Sequence, residues 1–257
     1  MPAFTRHQTQ PLGELLRYWR RQRGKSQLHL SLDTGVSQRH ISFVESGRSV
    51  PSRYLLLGLC KSLDVPLREQ NALLLAAGFA PVHVESSWDS AEMAMVRRAL
   101  DRVLNQHEPY PALVLDRYWN VLRTNEAAPL FFGQFVDLAR FPKPRNLLHL
   151  IFDPAGLRPS IEDWETVAAG LLQRVSREAV GHVDDPRTQE LVKSLNRYPG
   201  AEVLADADQP QLPVLPITFV KNRQRYSFFS MITTVGLPQD ITAQEFRVEC
   251  MYPVKTN

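Results

Sequence analysis

The sequence predicts two unlike domains in one chain. Residues 1–81 read as an all-α domain of five helices. Residues 86–257 read as an α+β domain, an antiparallel sheet of about five strands with inserted helices. Three observations carry this. The front third spaces its apolar residues at helical period and punctuates them with Gly24, Gly35, Gly47 and Gly78. The back of the chain alternates apolar and polar residues at strand period. The charge is also divided: residues 1–80 carry 11 Lys/Arg against 5 Asp/Glu, whereas the remainder carries 19 against 22.

Leu12, Leu15, Leu16 and Trp19 form one stripe, so Leu12 to Arg23 is the first helix and Gly24 ends it. Ser26 caps a second helix, Gln27 to Thr34, which Gly35 stops by supplying a left-handed backbone cheaply. Ser37 caps a third, Gln38 to Ser46, closed by Gly47. Ser52 caps a fourth through Leu55, Leu56, Leu59, Cys60 and Leu63, and Leu67 to Ala77 is a fifth. Gly24-Lys25-Ser26 imitates the end of a phosphate-binding loop, but Trp19 stands where that loop needs Gly and a helix precedes it.

Two short helices joined by a Gly-containing turn are the architecture of a DNA-reading helix-turn-helix. On the third helix Ile41 and Val44 share one side, flanked by His40 and Glu45. Gln38, Arg39, Ser42, Phe43 and Ser46 take the other. Gln and Arg make bidentate hydrogen bonds to adenine and guanine edges, Phe43 can meet a thymine methyl, and His40 at the border of the two sides is a further expected DNA contact. Arg48 and Arg53 flank that helix where phosphate would run. The basic excess of the same region is what counterion release from double-stranded DNA requires.

Residues 12–65 resemble the Cro/C1-type (XRE) helix-turn-helix family through Leu12-x2-Leu15-Leu16-x3-Arg20, Ser26-Gln27, Gly35-Val36-Ser37, Ile41-Ser42, Glu45-x-Gly47-Arg48, Pro51-Ser52 and Leu63-x-Val65. The resemblance implies a lambda-repressor-like five-helix fold. It also implies that Gln27 touches phosphate, that Gln38, Arg39 and Ser42 address bases, and that Arg20 pairs with Glu45. Ser31 departs from the family, which places a small apolar residue there.

In the second part, residues 89–107 read as an amphipathic helix through Val96, Ala99, Leu100, Val103 and Leu104. Its stripe serves either the chain's own sheet or a twofold partner. Ala112 to Leu115 and Trp119 to Arg123 are strands around Asp116-Arg117, and Asn125 caps a helix through Phe131, Phe132 and Val136. Trp164 to Val180 and Pro186 to Asn196 are helices, the latter capped by Asp185; 201–212 is an acidic loop. Leu215 to Val220 and Tyr226 to Val235 form a hairpin about Asn222-Arg223-Gln224. Phe246, Val248, Cys250 and Tyr252 alternate with Arg247, Glu249 and Met251, the pattern of a strand with one wet face.

Glu108-Pro-Tyr-Pro-Ala-Leu-Val, Trp119-Asn-Val, Asn125-x-Ala-Ala, Asn146-Leu-Leu, Trp164, Tyr198-Pro-Gly and Ser227-Phe-Phe-Ser-x-x-Thr-Thr resemble the MmyB-like ligand-binding domain, a PAS-like sheet. That resemblance implies a small-molecule pocket between sheet and helices, with fatty-acid-like ligands as a precedent. Trp119, Phe131, Phe132, Trp164, Phe228 and Phe229 could line it, with Arg123, Asn125, Ser230 or Thr233 as polar partners. Equally, the aromatics could fill core, and Arg123 could face solvent.

The seven His pair with no Cys or carboxylate at metal spacing, and His182 with Asp184 and Asp185 reads as a helix-capping loop. No nucleophile–base motif or carboxylate dyad is present, so no catalytic residue, metal or cofactor is expected. Two cysteines, no apolar run of about 20 residues and no secretory start fit a cytoplasmic protein without a membrane span. The expectation is a homodimeric, ligand-controlled transcription regulator on a near-palindromic operator. The alternatives are a constitutive repressor whose second domain only dimerises, or an enzyme fused to a DNA-binding module.

Overall fold

A computed structural model of the chain describes residues 11–180, 185–201 and 214–254. His182, Asp184 and nearly all of the acidic loop lie outside the described residues. The chain divides into two compact units, Met1–Ser86 with Leu237–Gln244, and Ser87–Gly236 with Glu245–Asn257.

The first unit contains α1 Leu12–Gln22, α2 Gln27–Thr34, α3 Gln38–Glu45, α4 Arg53–Ser62 and α5 Leu67–Ala76. Ser26, Ser37 and Ser52 each accept a hydrogen bond from the backbone N–H three residues on, the geometry that an N-cap serine supplies. Leu15, Leu16, Trp19, Leu30, Ile41, Val44, Leu56, Leu59 and Leu73 close one core. Gly13 lets α1 lie directly on the end of α3: a Cβ there would sit 2.5 Å from the Glu45 carbonyl oxygen. Sequence reasoning had no signal for that close approach. The segment Leu237–Gln244 also belongs here. The Gln244 side chain accepts from the Leu67 N–H at the start of α5, and Asp240 accepts from Ser86 N–H.

The second unit is built on a five-stranded antiparallel sheet in the order β2-β1-β5-β4-β3. The strands are β1 Ala112–Leu115, β2 Val121–Thr124, β3 Ile217–Lys221, β4 Gln224–Thr233 and β5 Arg247–Pro253. The β3–β4 hairpin pairs Lys221 with Gln224 around Asn222 and Arg223, both at positive φ, as a tight primed turn demands. On one face α6 Ala94–Gln106 buries Leu100 and Leu104 where it packs against β1. On the other lie α7 Ala127–Phe132, α8 Leu147–Phe152, α9 Trp164–Val180 and α10 Pro186–Asn196. Their apolar side chains meet Leu113, Leu115, Phe219, Phe228 and Met251 in a single core.

Several elements differ from the sequence reading. α6 begins at Ala94, not at residue 89, because the Arg97 guanidinium donates to the Trp88 and Ser90 carbonyls and holds that segment in turns. α7 stops at Phe132, short of Val136. A short helix, α11 Ile241–Glu245, precedes β5. The largest correction concerns β5. Arg247, Glu249 and Met251 share a parity with the core-facing strand positions, and Glu249 and Met251 are buried. The charged face expected in water lies under α9.

Candidate functional site

Helix α3 is held from behind by one buried ion network. Glu45, the last residue of α3, receives Arg20 from α1 in a two-pronged bond, Nε to Oε1 at 2.6 Å and Nη2 to Oε2 at 2.9 Å. Gln27 Nε2 donates to Oε2 at 2.9 Å, and Arg17 Nη2 donates to the Glu45 carbonyl at 2.9 Å. Burial alone would raise the Glu45 carboxyl. The bonds from Arg20 and Gln27, with the charges of Arg20 and Arg17, outweigh it and hold the group below its ordinary value. Every polar atom of the Glu45 side chain is therefore spent. Gln27, expected at phosphate, gives its amide N–H to this network.

The front of α3 is unlike its back. Ile41, Val44 and Glu45 are buried, while Gln38 and Arg39 are exposed and His40, Ser42 and Phe43 are half-buried. Phe43 lies between two cations: the Arg39 guanidinium carbon is 5.3 Å and that of Arg48 5.8 Å from its ring centre. Such cation–ring contacts orient both guanidinium groups without neutralising them. No described carboxylate pairs with Arg39, Arg48 or Arg53, so this face offers free positive charge and amide groups to a polyanion. The structure brings Gln38, Arg39, Ser42 and Phe43 onto one surface.

In the second unit a cavity of about 540 Å3 opens between β1, β2, α7 and α8. Leu113, Val121, Leu122, Ala128, Phe132, Leu147 and Leu150 make it apolar. Among the described residues its charged lining consists of Lys143 and Arg145. Neither pairs with a described carboxylate, and Arg145 Nε donates to the Leu138 carbonyl. Leu113, Phe132 and Leu147 also line a second, smaller pocket of about 40 Å3 that reaches Trp119, Phe228, Ser230, Glu249 and Met251.

Of the residues singled out from sequence, Trp119, Phe132, Phe228, Phe229 and Ser230 line a pocket. The others do not. Arg123 is exposed on β2 and pairs with Asp101 on α6 at 2.9 Å. Asn125 lies one residue before the N-cap position of α7, which Glu126 occupies; its Oδ1 accepts from Ala128 N–H and Ala112 N–H, and its Nδ2 donates to the Tyr110 carbonyl. Phe131 and Trp164 pack into the core, Trp164 donating its Nε1–H to the Ile151 carbonyl.

Sequence reasoning also missed the charged cluster beneath α9. Arg174 and Glu178, one helical turn apart, meet Arg247 and Glu249 of β5, with contacts of 3.0 Å, 3.4 Å and 3.0 Å. The Arg174 and Arg247 guanidinium carbons lie 4.3 Å and 4.2 Å from the Trp119 ring centre, and Trp119 Nε1–H donates to Glu178. Burial, opposed by the Glu178 charge, leaves the Arg247 group below its ordinary value. Trp119 itself stands at φ 67°, a region costly for a bulky residue. Asp116 fixes that turn by accepting from the Tyr118 and Asn120 N–H groups. Two arginines and two glutamates cancel, which is what permits their burial.

An exposed basic and amide-bearing face on α3 and a lined cavity in the second unit fit one class, a DNA-binding transcription regulator that carries a ligand-binding domain. Two family models match accordingly: "MmyB-like transcription regulator ligand binding domain" over residues 96–257, and "Helix-turn-helix" over residues 16–70. The chain belongs to the MmyB-like ligand-binding-domain family. A search of the curated proteins found no match. Among the described residues no helix is long and apolar enough to cross a membrane, and no cluster of His, Cys, Asp or Glu is placed to hold a metal ion.

Proposed function

We propose that the protein is a homodimeric regulator that reads a near-palindromic operator with α3 and responds to an amphiphilic, acid-headed ligand of fatty-acid type. Two copies of α3 would enter successive major grooves, with half-sites about one helical turn (roughly 34 Å) apart. Gln38, Arg39, Ser42 and Phe43 would meet base edges, while Arg48 and Arg53 would hold phosphates. Gln27 contributes chiefly by steadying Glu45 and hence the helix.

The observation that carries the ligand reading is the cavity of about 540 Å3, lined mainly by apolar side chains with Thr124, Lys143 and Arg145 at its wall. Its volume is that of a small-molecule site, and two unpaired cations are where a carboxylate would be met. Ligand acts by favouring one dimer geometry over another, since only differential affinity shifts a population. The test is mass spectrometry of organic extracts of the purified protein, with selection of binding sites from random DNA with and without the extracted compounds. Recovery of a carboxylic acid that changes operator affinity is expected. Operator selection that succeeds while no added or extracted compound alters it would favour a constitutive repressor.

A further inference from the structure

We infer that the small inner pocket takes a hydroxyl group at the far end of the ligand, so that the preferred effector is a hydroxylated amphiphile rather than a plain fatty acid. This rests on the ligand reading above and refines it.

Glu249 is only 7% exposed, yet its Oε2 is buried with no hydrogen-bond partner, and the residue lines the inner pocket. Its other oxygen is used: Oε1 accepts from Ser230 Oγ at 2.7 Å and faces Arg174 Nη1 at 3.4 Å. A buried carboxylate oxygen left without a donor costs free energy that a single O–H or N–H recovers. The remaining unpaired nitrogens of the cluster belong to Arg174 and Arg247, which stack on Trp119 and do not line the pocket.

Size and charge then select the donor. A pocket offering about 40 Å3 to the centre of a water-sized group leaves room for a small polar group such as a hydroxyl. An ammonium would add a third cation beside Arg174 and Arg247, both already balanced by Glu178 and Glu249. A carboxylate would repel Glu249. A hydroxyl brings a donor and no charge. Leu113, Phe132 and Leu147 line both spaces, so one chain-like ligand passing them could place its acid at Lys143 and Arg145 and its hydroxyl at Glu249.

The test titrates the full-length protein calorimetrically with straight-chain acids from octanoic to hexadecanoic. Each length is compared with its ω-hydroxy and ω-methoxy derivatives. At the best length the ω-hydroxy acid should bind about tenfold tighter than both the methoxy ether and the plain acid, as a hydrogen bond to a charged group implies. Glu249→Met should abolish that preference while still binding the plain acid. Equal binding of all three by the unaltered protein, or a preference that survives Glu249→Met, would overturn the inference and leave the acid-binding cavity standing. Failure of every acid in the series to bind would remove both. Because the three-way comparison is made on the unaltered protein, it decides the matter even if the variant does not fold.

Discussion

Each unit buries charge, but the two do so in opposite ways. Behind α3, Glu45 has both oxygens occupied by Arg20 and Gln27, and the network closes on itself. Under α9, the Arg174, Arg247 and Glu249 side chains all retain buried atoms without partners. A closed network fixes one arrangement, whereas an open one leaves donors and acceptors for something else to complete. The first unit thus ties its buried carboxylate at a single point behind α3, whereas the second spreads its buried charge over four side chains under α9.

Charge-removing isosteres in the two networks test that contrast most severely. Glu45→Gln strands the buried Arg20 guanidinium and should cost about 3–5 kcal/mol of first-unit stability. Glu249→Gln leaves Arg174 and Arg247 to share the half-buried Glu178 and should cost less, about 1.5–3 kcal/mol. Thermal melts followed by near-ultraviolet circular dichroism would report both, and equal losses would break the comparison. The pH dependence has a definite sign. The Glu45 carboxyl lies lower folded than its ordinary 4.5, so its contribution is complete above that value. It is lost as the solution is acidified through the lower folded value. The acid limb of the stability curve should flatten in Glu45→Gln.

Much of the first unit was legible because its signals are local. Ser26, Ser37 and Ser52 announce helix starts, Gly35 announces a stop, and the Ile41–Val44 side of α3 follows from period alone. The sites of the second unit are assembled from distant stretches. The large cavity draws on β1, β2, α7, α8 and the loop before α8, and no single window contains the pattern. Nothing local in the sequence set Lys143 and Arg145 apart from other cations. Arg247 and Glu249 misled for a physical reason: alternation marks two faces but not which one is wet, and a neutral set of four ions lets the charged face go inward. Arg123 drew attention beside Trp119 in sequence, yet the bulge between Val114 and Leu115 and the Asp116 turn separate the two, and Asp101 claims its charge.

The face of α3 sharpens the contrast at a smaller scale. Arg39→Ala should lose about 1–3 kcal/mol on the selected operator and relax preference at one base pair. Binding to random DNA should change much less. Gel-shift titrations on both DNAs decide this, and identical losses would move Arg39 from base reading to phosphate holding. Because Arg39 and Arg48 share the Phe43 ring, Phe43→Ala should reproduce part of the Arg39 loss without removing a charge.

The smallest expected effect lies just behind that face. Arg53 is the first residue of α4, exposed, with Ser52 capping the helix through Leu55 N–H. A phosphate there would meet both the guanidinium and the positive end of the helix, neither of which distinguishes one base from another. Arg53→Ala should therefore weaken operator and random DNA by the same factor. It should also reduce the slope of log affinity against log salt by about 1 per protomer, since one fewer counterion is released. A change in sequence preference would show that α4 contributes to reading. A changed affinity with an unchanged salt slope would show that Arg53 acts on the fold of the helix and not on the phosphate.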